Sequence, residues 1–165
     1  MKKINAMNTT CTSKEALQKL EHFCAYQERC HAEVVSKLYS LKMTSDESDN
    51  IIVQLIEGNF LNETRFACSF ARGKHRIKHW GKIRIVNELK AKHISSTNIT
   101  LALKEIDPEE YETTFNQLAE RCWNSIQEKN ILKKRKKFCD YMLRRGYESN
   151  LVYEKVTFLE KAEND

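Results

Sequence analysis

The sequence predicts an all-α chain of three tandem three-helix repeats in an elongated, curved arrangement, and three observations carry that prediction. The 165 residues include one proline and four glycines, too few turn-formers for a sheet with many tight hairpins. Apolar residues recur at helical spacing, most clearly over Tyr111, Phe115, Leu118, Ala119, Cys122, Trp123 and Ile126. A composite pattern also returns about every fifty residues, as in a repeat array.

That pattern is visible in KLYSLKMTSDESDNII from Lys37, ELKAKHISSTNI from Glu88 and YMLRRGYESNLV from Tyr141. In each, an apolar residue closes a helix (Leu38, Leu89, Met142) and another follows five positions later in a bend (Met43, Ile94, Tyr147). Polar N-cap types then lead to a β-branched residue that opens the next helix (Ile51 or Ile52, Ile99, Val152). The closing residues stand 51 and 53 positions apart. The expected division is 1–61, 62–107 and 108–165, each unit too small to bury a core alone and so stacked on its neighbours.

In the first repeat helices are expected over roughly 13–27, 30–42 and 46–57. Thr12–Glu15 reads TSKE, a capping box, and Gly58 stands where a left-handed C-cap would stop the third helix. Leu17, Leu20 and Cys24, then Ile51, Leu55 and Ile56, supply apolar faces. The second repeat spans roughly 62–76, 80–92 and 96–106, with Phe66, Phe70, Ile83, Ile85 and Leu89 facing inward. Its stretch RFACSFARGKHRIKHWGKIR, Arg65–Arg84, is expected to hold one helix end, a basic turn over Gly73–His79 and the next helix start, with Gly81 serving helix initiation or close approach. The third repeat spans roughly 108–129, 131–145 and 149–161. Asp107 can cap it, Pro108 loses no helical hydrogen bond at the first position, Glu109 and Glu110 favour the positive helix end, and Gly146 stops the second helix.

The charge is unevenly spread. Residues 1–61 carry 7 basic and 8 acidic side chains, 62–107 carry 10 and 4, and 108–165 carry 11 and 11, so the middle repeat holds the whole surplus of the net +5. Seven cations and no acid lie in Arg65–Arg84, which points to a partner acidic along one face, either nucleic acid or a protein groove. Arg72, Lys74, Arg76, Lys78 and Lys82 are the expected working surface, their alkyl stems lying over apolar residues and their charges pointing out. Arg65 and Arg84 fit either partner contact or an ion pair with a helix acid such as Glu88. Trp80 fits packing or base stacking. Arg144 and Arg145 join the partner-binding candidates, although their place at a helix end favours the dipole by itself. The run KKRKK, Lys133–Lys137, reads as a solvated helix face.

Several classes are set aside. No window approaches a membrane span and the N-terminus lacks an apolar signal core, so a soluble, cytoplasmic monomer is expected. The six cysteines form no CxxC pair, and Cys24, Cys30 and His31 fit no familiar ligand spacing, so neither metal nor cofactor is expected and the cysteines are read as small buried residues. The five histidines belong to no HExxH or nucleophile motif and no phosphate-cradling loop occurs, so no catalytic residue is expected.

The middle repeat adds a resemblance. NETRFACSF, with Arg65, Phe66, Ala67 and Phe70, followed by GKIRIVNEL, with Gly81, Ile83, Arg84, Ile85, Glu88 and Leu89, resembles the signature of the RecX family of bacterial RecA modulators. RCHAEVVSKL from Arg29 and MLRRGYESNLVYEKV from Met142 resemble the family's first and last repeats, so the likeness runs from about residue 13 to about 160. Two departures fall in the first repeat: Cys30 stands where the family commonly has Ser, and the MTSDESDN bend is longer by about three residues. The resemblance implies an all-α protein that binds the RecA filament on single-stranded DNA, limits its growth and lowers strand exchange, ATP hydrolysis and co-protease activity. Single-stranded DNA would be a secondary contact. A stand-alone helical nucleic-acid-binding protein is the alternative.

Overall fold

The computed structural model describes residues 11–164, which form nine α-helices and no strand. These are α1 Ser13–Tyr26, α2 His31–Ser40, α3 Ser45–Glu57, α4 Glu63–Lys78, α5 Lys82–Ala91, α6 Ser96–Lys104, α7 Pro108–Ser125, α8 Ile131–Arg145 and α9 Ser149–Asn164. The all-α, three-helix-repeat prediction holds. The chain forms two compact units, one ending at Phe66 and the other starting at Ala67, so the first turn of α4 belongs with the first unit.

In the first unit α1 starts at the expected capping box. The Thr12 hydroxyl accepts from the Glu15 N–H at 3.3 Å and the Glu15 carboxylate accepts from the Thr12 N–H at 2.9 Å. The same box opens α3 at Thr44 and Glu47, at 3.3 and 2.9 Å, inside the bend that departs from the family pattern. Ser13 donates to Glu47 at 2.8 Å, tying the two helix starts together. Below them Ala16, Leu20 and Cys24 pack with Val34 and Leu38 and with Ile51, Ile52 and Leu55. Ile56, expected on that face, is 54% exposed, because the inward stripe of α3 falls on positions 51, 52 and 55.

The fifty-residue period is a recurring backbone hydrogen bond. The N–H of Met43, Ile94 and Tyr147 donates to the carbonyl of Leu38, Leu89 and Met142 at 3.2, 3.1 and 3.3 Å, the six-to-one closure of a Schellman motif. The residue before each donor is left-handed: Lys42 at φ 60°, His93 at φ 60° and Gly146 at φ 88°. Gly58 does not follow its expectation. Its φ is −75°, and Asn59 at φ 57° takes the left-handed place while the Phe60 N–H closes on Leu55 at 2.8 Å.

The basic segment also differs. α4 runs unbroken through Gly73 to Lys78, and the expected turn over Gly73–His79 shrinks to His79–Gly81, with His79 left-handed at φ 51°. Buried Ala67, Ala71 and His75 on the inner face of α4 anchor the helix on both sides of Gly73. α7 stops at Ser125, short of the expected 129.

A Cβ on Gly73 would meet nothing within 4 Å. Gly73→Ala is therefore expected to stabilise the fold by about 0.5–1 kcal/mol, since it removes only the entropy cost of a helical glycine. Urea denaturation of the two proteins measures the difference.

Candidate partner-binding surface

The basic segment is held in place by a close backbone contact within the second unit. Gly81 is the N-cap of α5 and has no side chain with which to cap it. A Cβ there would lie 2.2 Å from the Gly146 carbonyl oxygen, and one on Gly146 would lie 2.4 Å from the Arg84 nitrogen. With both positions bare, the Gly81 N–H donates to the Arg145 carbonyl at 2.9 Å and the Ile83 N–H to the Gly146 carbonyl at 3.0 Å. The Lys82 N–H donates to the Tyr111 hydroxyl at 3.1 Å, and that hydroxyl donates to Glu148 at 2.6 Å. The free amides at the start of α5 are thus satisfied by α7 and by the α8–α9 bend.

Aromatic rings fill the space beneath. His75, Tyr111, Tyr147 and Phe115 follow one another at centroid distances of 5.2, 5.5 and 5.1 Å. His75 is buried, and its Nδ1 lies 3.1 Å from the Trp80 carbonyl, which can only accept, so Nδ1 carries the proton. The Tyr147 hydroxyl donates to the His79 carbonyl at 3.2 Å. Burial pushes the Tyr147 phenol up to about 12, and burial with the Glu148 hydrogen bond pushes Tyr111 further up, so both act as neutral hydrogen-bonding groups.

Acids distant in sequence take up three of the six candidate arginines. Arg65 pairs with Glu28 and donates to the Asn59 side-chain and backbone oxygens at 3.0 and 2.9 Å, within the first unit. Arg72 pairs with Glu105, and Arg76 reaches both oxygens of Glu110 at 2.9 and 3.1 Å. Arg84 stacks 4.0 Å from the Trp80 ring, sits 3.9 Å from Glu88 and donates to the Arg144 carbonyl at 3.4 Å. Arg145 donates to the Lys78 carbonyl at 2.7 Å and the Tyr141 hydroxyl at 2.9 Å, so it caps α4 as well as ending its own helix. Lys74, Lys78, Lys82 and Arg144 have no carboxylate within ion-pairing distance among the described residues. Lys74 lies over Phe70 and Trp80, and Lys82 over Tyr111.

Two sequence expectations change, the inward place of Ile83 and the solvated KKRKK face. Ile83 is 46% and Ile77 74% exposed, whereas Phe66, Ile85 and Leu89 are buried as expected. The KKRKK run is not simply solvated: Lys134 is buried against Trp123 and bonds Glu163 at 2.7 Å, Arg135 bonds Glu160 at 2.6 Å and Lys137 bonds Glu128 at 2.9 Å. The acids of these clamps lay outside the sequence-level candidates. Only Glu110 stood in a motif, and there as a dipole acid. Trp80 packs edge-on to Phe70. Cys24, Cys30 and Cys139 are buried and the other three cysteines partly so. Among the described residues no group of His, Cys, Asp or Glu is arranged to hold a metal ion, and no helix is long and apolar enough to cross a membrane.

Known proteins resemble this chain in sequence and fold. The family model of the RecX second three-helix domain matches residues 62–103, the stretch that carries the basic surface. Regulatory protein RecX of Lactobacillus gasseri is 30% identical over 158 residues, 91% of this chain and 56% of that protein, and regulatory protein RecX of Mycobacteroides abscessus is 26% identical over 83% and 68%. The chain is similar to RecX proteins along most of its length. The crystal structure of RecX from Lactobacillus salivarius shares the fold, with a TM-score of 0.76 at 23% identity over 90% of this chain and 96% of that one. The chain spans 56% of the length of its relatives from L. gasseri and Bacillus cytotoxicus.

The clamps give the chain an acid-sensitive fold. The partner cations Arg76, Lys137 and Lys134 hold the carboxyls of Glu110, Glu128 and Glu163 below the usual carboxylate range, while capping bonds do so for Glu15 and Glu47. Folded-state values below the unfolded ones mean that this stability is present above the unfolded carboxylate range and is lost as pH falls through the folded values. The urea midpoint is expected to hold steady down to about pH 5 and to drop below about pH 4.5, less steeply in Glu110→Gln. Added salt should flatten the drop, because the Arg76–Glu110 and Lys137–Glu128 pairs have exposed cations.

The glycine contact makes a second prediction. Gly81→Ala and Gly146→Ala each force a methyl into backbone, the latter at positive φ, and each is expected to destabilise by at least about 2 kcal/mol. Thermal denaturation followed by circular dichroism provides the measurement.

Proposed function

We propose that this chain binds the RecA filament on single-stranded DNA and modulates it, mainly by inhibiting recombinase, ATPase and co-protease activities, without catalysis of its own. The similarity to regulatory proteins named RecX supplies the partner. The observation that carries the residue-level reading is the split among the cations: five candidate arginines bond carboxylates or backbone carbonyls inside the chain, whereas Lys74, Lys78, Lys82 and Arg144 have no ion pair among the described residues. These four would meet acidic groups on the filament, with Arg72, Arg76, Arg84 and Arg145 holding the surface in shape and Arg65 tied into the first unit.

The distinction sets the choice of mutant. Reversing Arg72 or Arg76 would confound loss of binding with loss of the Glu105 and Glu110 clamps. Lys74→Glu, Lys78→Glu and Lys82→Glu together are expected to leave the helical spectrum intact and to abolish inhibition of RecA-driven ATP hydrolysis. Unchanged inhibition by the folded triple variant would remove this surface from the mechanism. Titration of a labelled single strand with and without RecA at two salt concentrations separates the stand-alone reading: three lysine–phosphate contacts give a log–log salt slope near about −2.

A further inference from the structure

The first unit carries a groove that the proposed function leaves unused. It lies between α1 and α2, has a volume of about 940 Å³ and is lined on its apolar side by Phe23, Tyr26 and Leu41. The Tyr26 ring, 82% exposed, stands open to water at its edge. Large aromatics in such positions are the side chains that anchor protein interfaces.

The rim is cationic against the balance of its own unit. Residues 1–61 hold one more acid than base, yet Lys19 and Lys37 line the groove and the Arg29 guanidinium stacks 3.9 Å from the Phe23 ring centre. Among the lining residues the one acid is Glu15, and its carboxylate is engaged with the Thr12 N–H at 2.9 Å. Other acids are committed elsewhere: Glu28 to Arg65, and Glu47 to Ser13 and Thr44. The groove thus joins an apolar floor to Lys19, Arg29 and Lys37, none of which forms a salt bridge among the described residues, although Glu15 offsets part of the Lys19 charge.

We infer that this groove docks an acidic amphipathic segment of a partner protein, its apolar face on Phe23, Tyr26 and Leu41 and its carboxylates on Lys19, Arg29 and Lys37. A phosphodiester backbone brings charge but no apolar stripe for the floor. The chain's own residues 1–10, MKKINAMNTT, carry two lysines and no acid, the wrong sign for the rim. The inference stands apart from the filament reading, since none of these residues belongs to the lysine set.

The test is a fluorescence-anisotropy titration of the full chain with a labelled synthetic helix bearing leucine on one face and glutamate on the other. Saturable binding is expected, with none for the same helix carrying lysine in place of glutamate. Tyr26→Ala with Lys37→Glu, both at exposed positions, should weaken binding at least about tenfold with an unchanged circular dichroism spectrum. The Lys74, Lys78 and Lys82 charge-reversal variant should bind as the parent does, whatever its effect on RecA. Undiminished binding by the groove variant, or loss of binding in the lysine variant, overturns the inference. So does displacement of the helix by a single strand, or a tenfold gain in affinity on deleting residues 1–10, which would name that segment as the occupant.

Discussion

Two bare backbone segments in contact, at Gly81 and Gly146, set the geometry of the second unit. No other side chain fits at either place, and the contact leaves the α5 amides facing the α8–α9 bend and the Tyr111 hydroxyl. Tyr111 passes the constraint on, since the oxygen that accepts from Lys82 also donates to Glu148 immediately before α9. The α4–α5 turn, flanked by Lys74, Arg76, Lys78, Lys82 and Arg84, is therefore held by hydrogen bonds from α7 and the α8–α9 bend. Cations on both sides of a turn repel one another, and these hydrogen bonds hold it without cancelling their charge.

The division of labour between arginine and lysine follows from their chemistry. A planar guanidinium can satisfy a carboxylate and a backbone carbonyl at once with little reorganisation, and Arg65 and Arg84 are placed to do that, while Arg145 joins a carbonyl to the Tyr141 hydroxyl. An ammonium on a flexible stem lies over an aromatic ring and keeps its charge in solvent, as Lys74 does over Phe70 and Lys82 over Tyr111. Lys134 is the exception, because Glu163 and the Trp123 face meet it below the surface. A charge count by residue range cannot separate these cases, because structural and available cations contribute equally to the sum.

What the sequence made legible was local. Capping boxes, the proline start at Asp107–Pro108 and the fifty-residue period rest on interactions spanning six residues or fewer, and each appears as a hydrogen bond where it was expected. The partners of Arg72 and Arg76 lie 33 and 34 residues away, beyond any local pattern. Gly73 misled because its conformational freedom argues for a turn, whereas buried Ala67, Ala71 and His75 keep the helix continuous. Ile83 misled because it stands two residues before core Ile85, and helical spacing turns two such neighbours about 200° apart.

The three bends share one closure but not one residue at its left-handed position, and the difference marks where the chain packs on itself. Lys42 and His93 hold that conformation despite a steric cost of about 1–2 kcal/mol, which their Schellman hydrogen bonds offset. Both keep a Cβ, so no backbone passes against them as Arg84 passes against Gly146. Glycine thus appears in the one bend of the three that must also receive the start of another helix. The repeat supplies the turn, and the departure from it supplies the site where the charged surface is fixed.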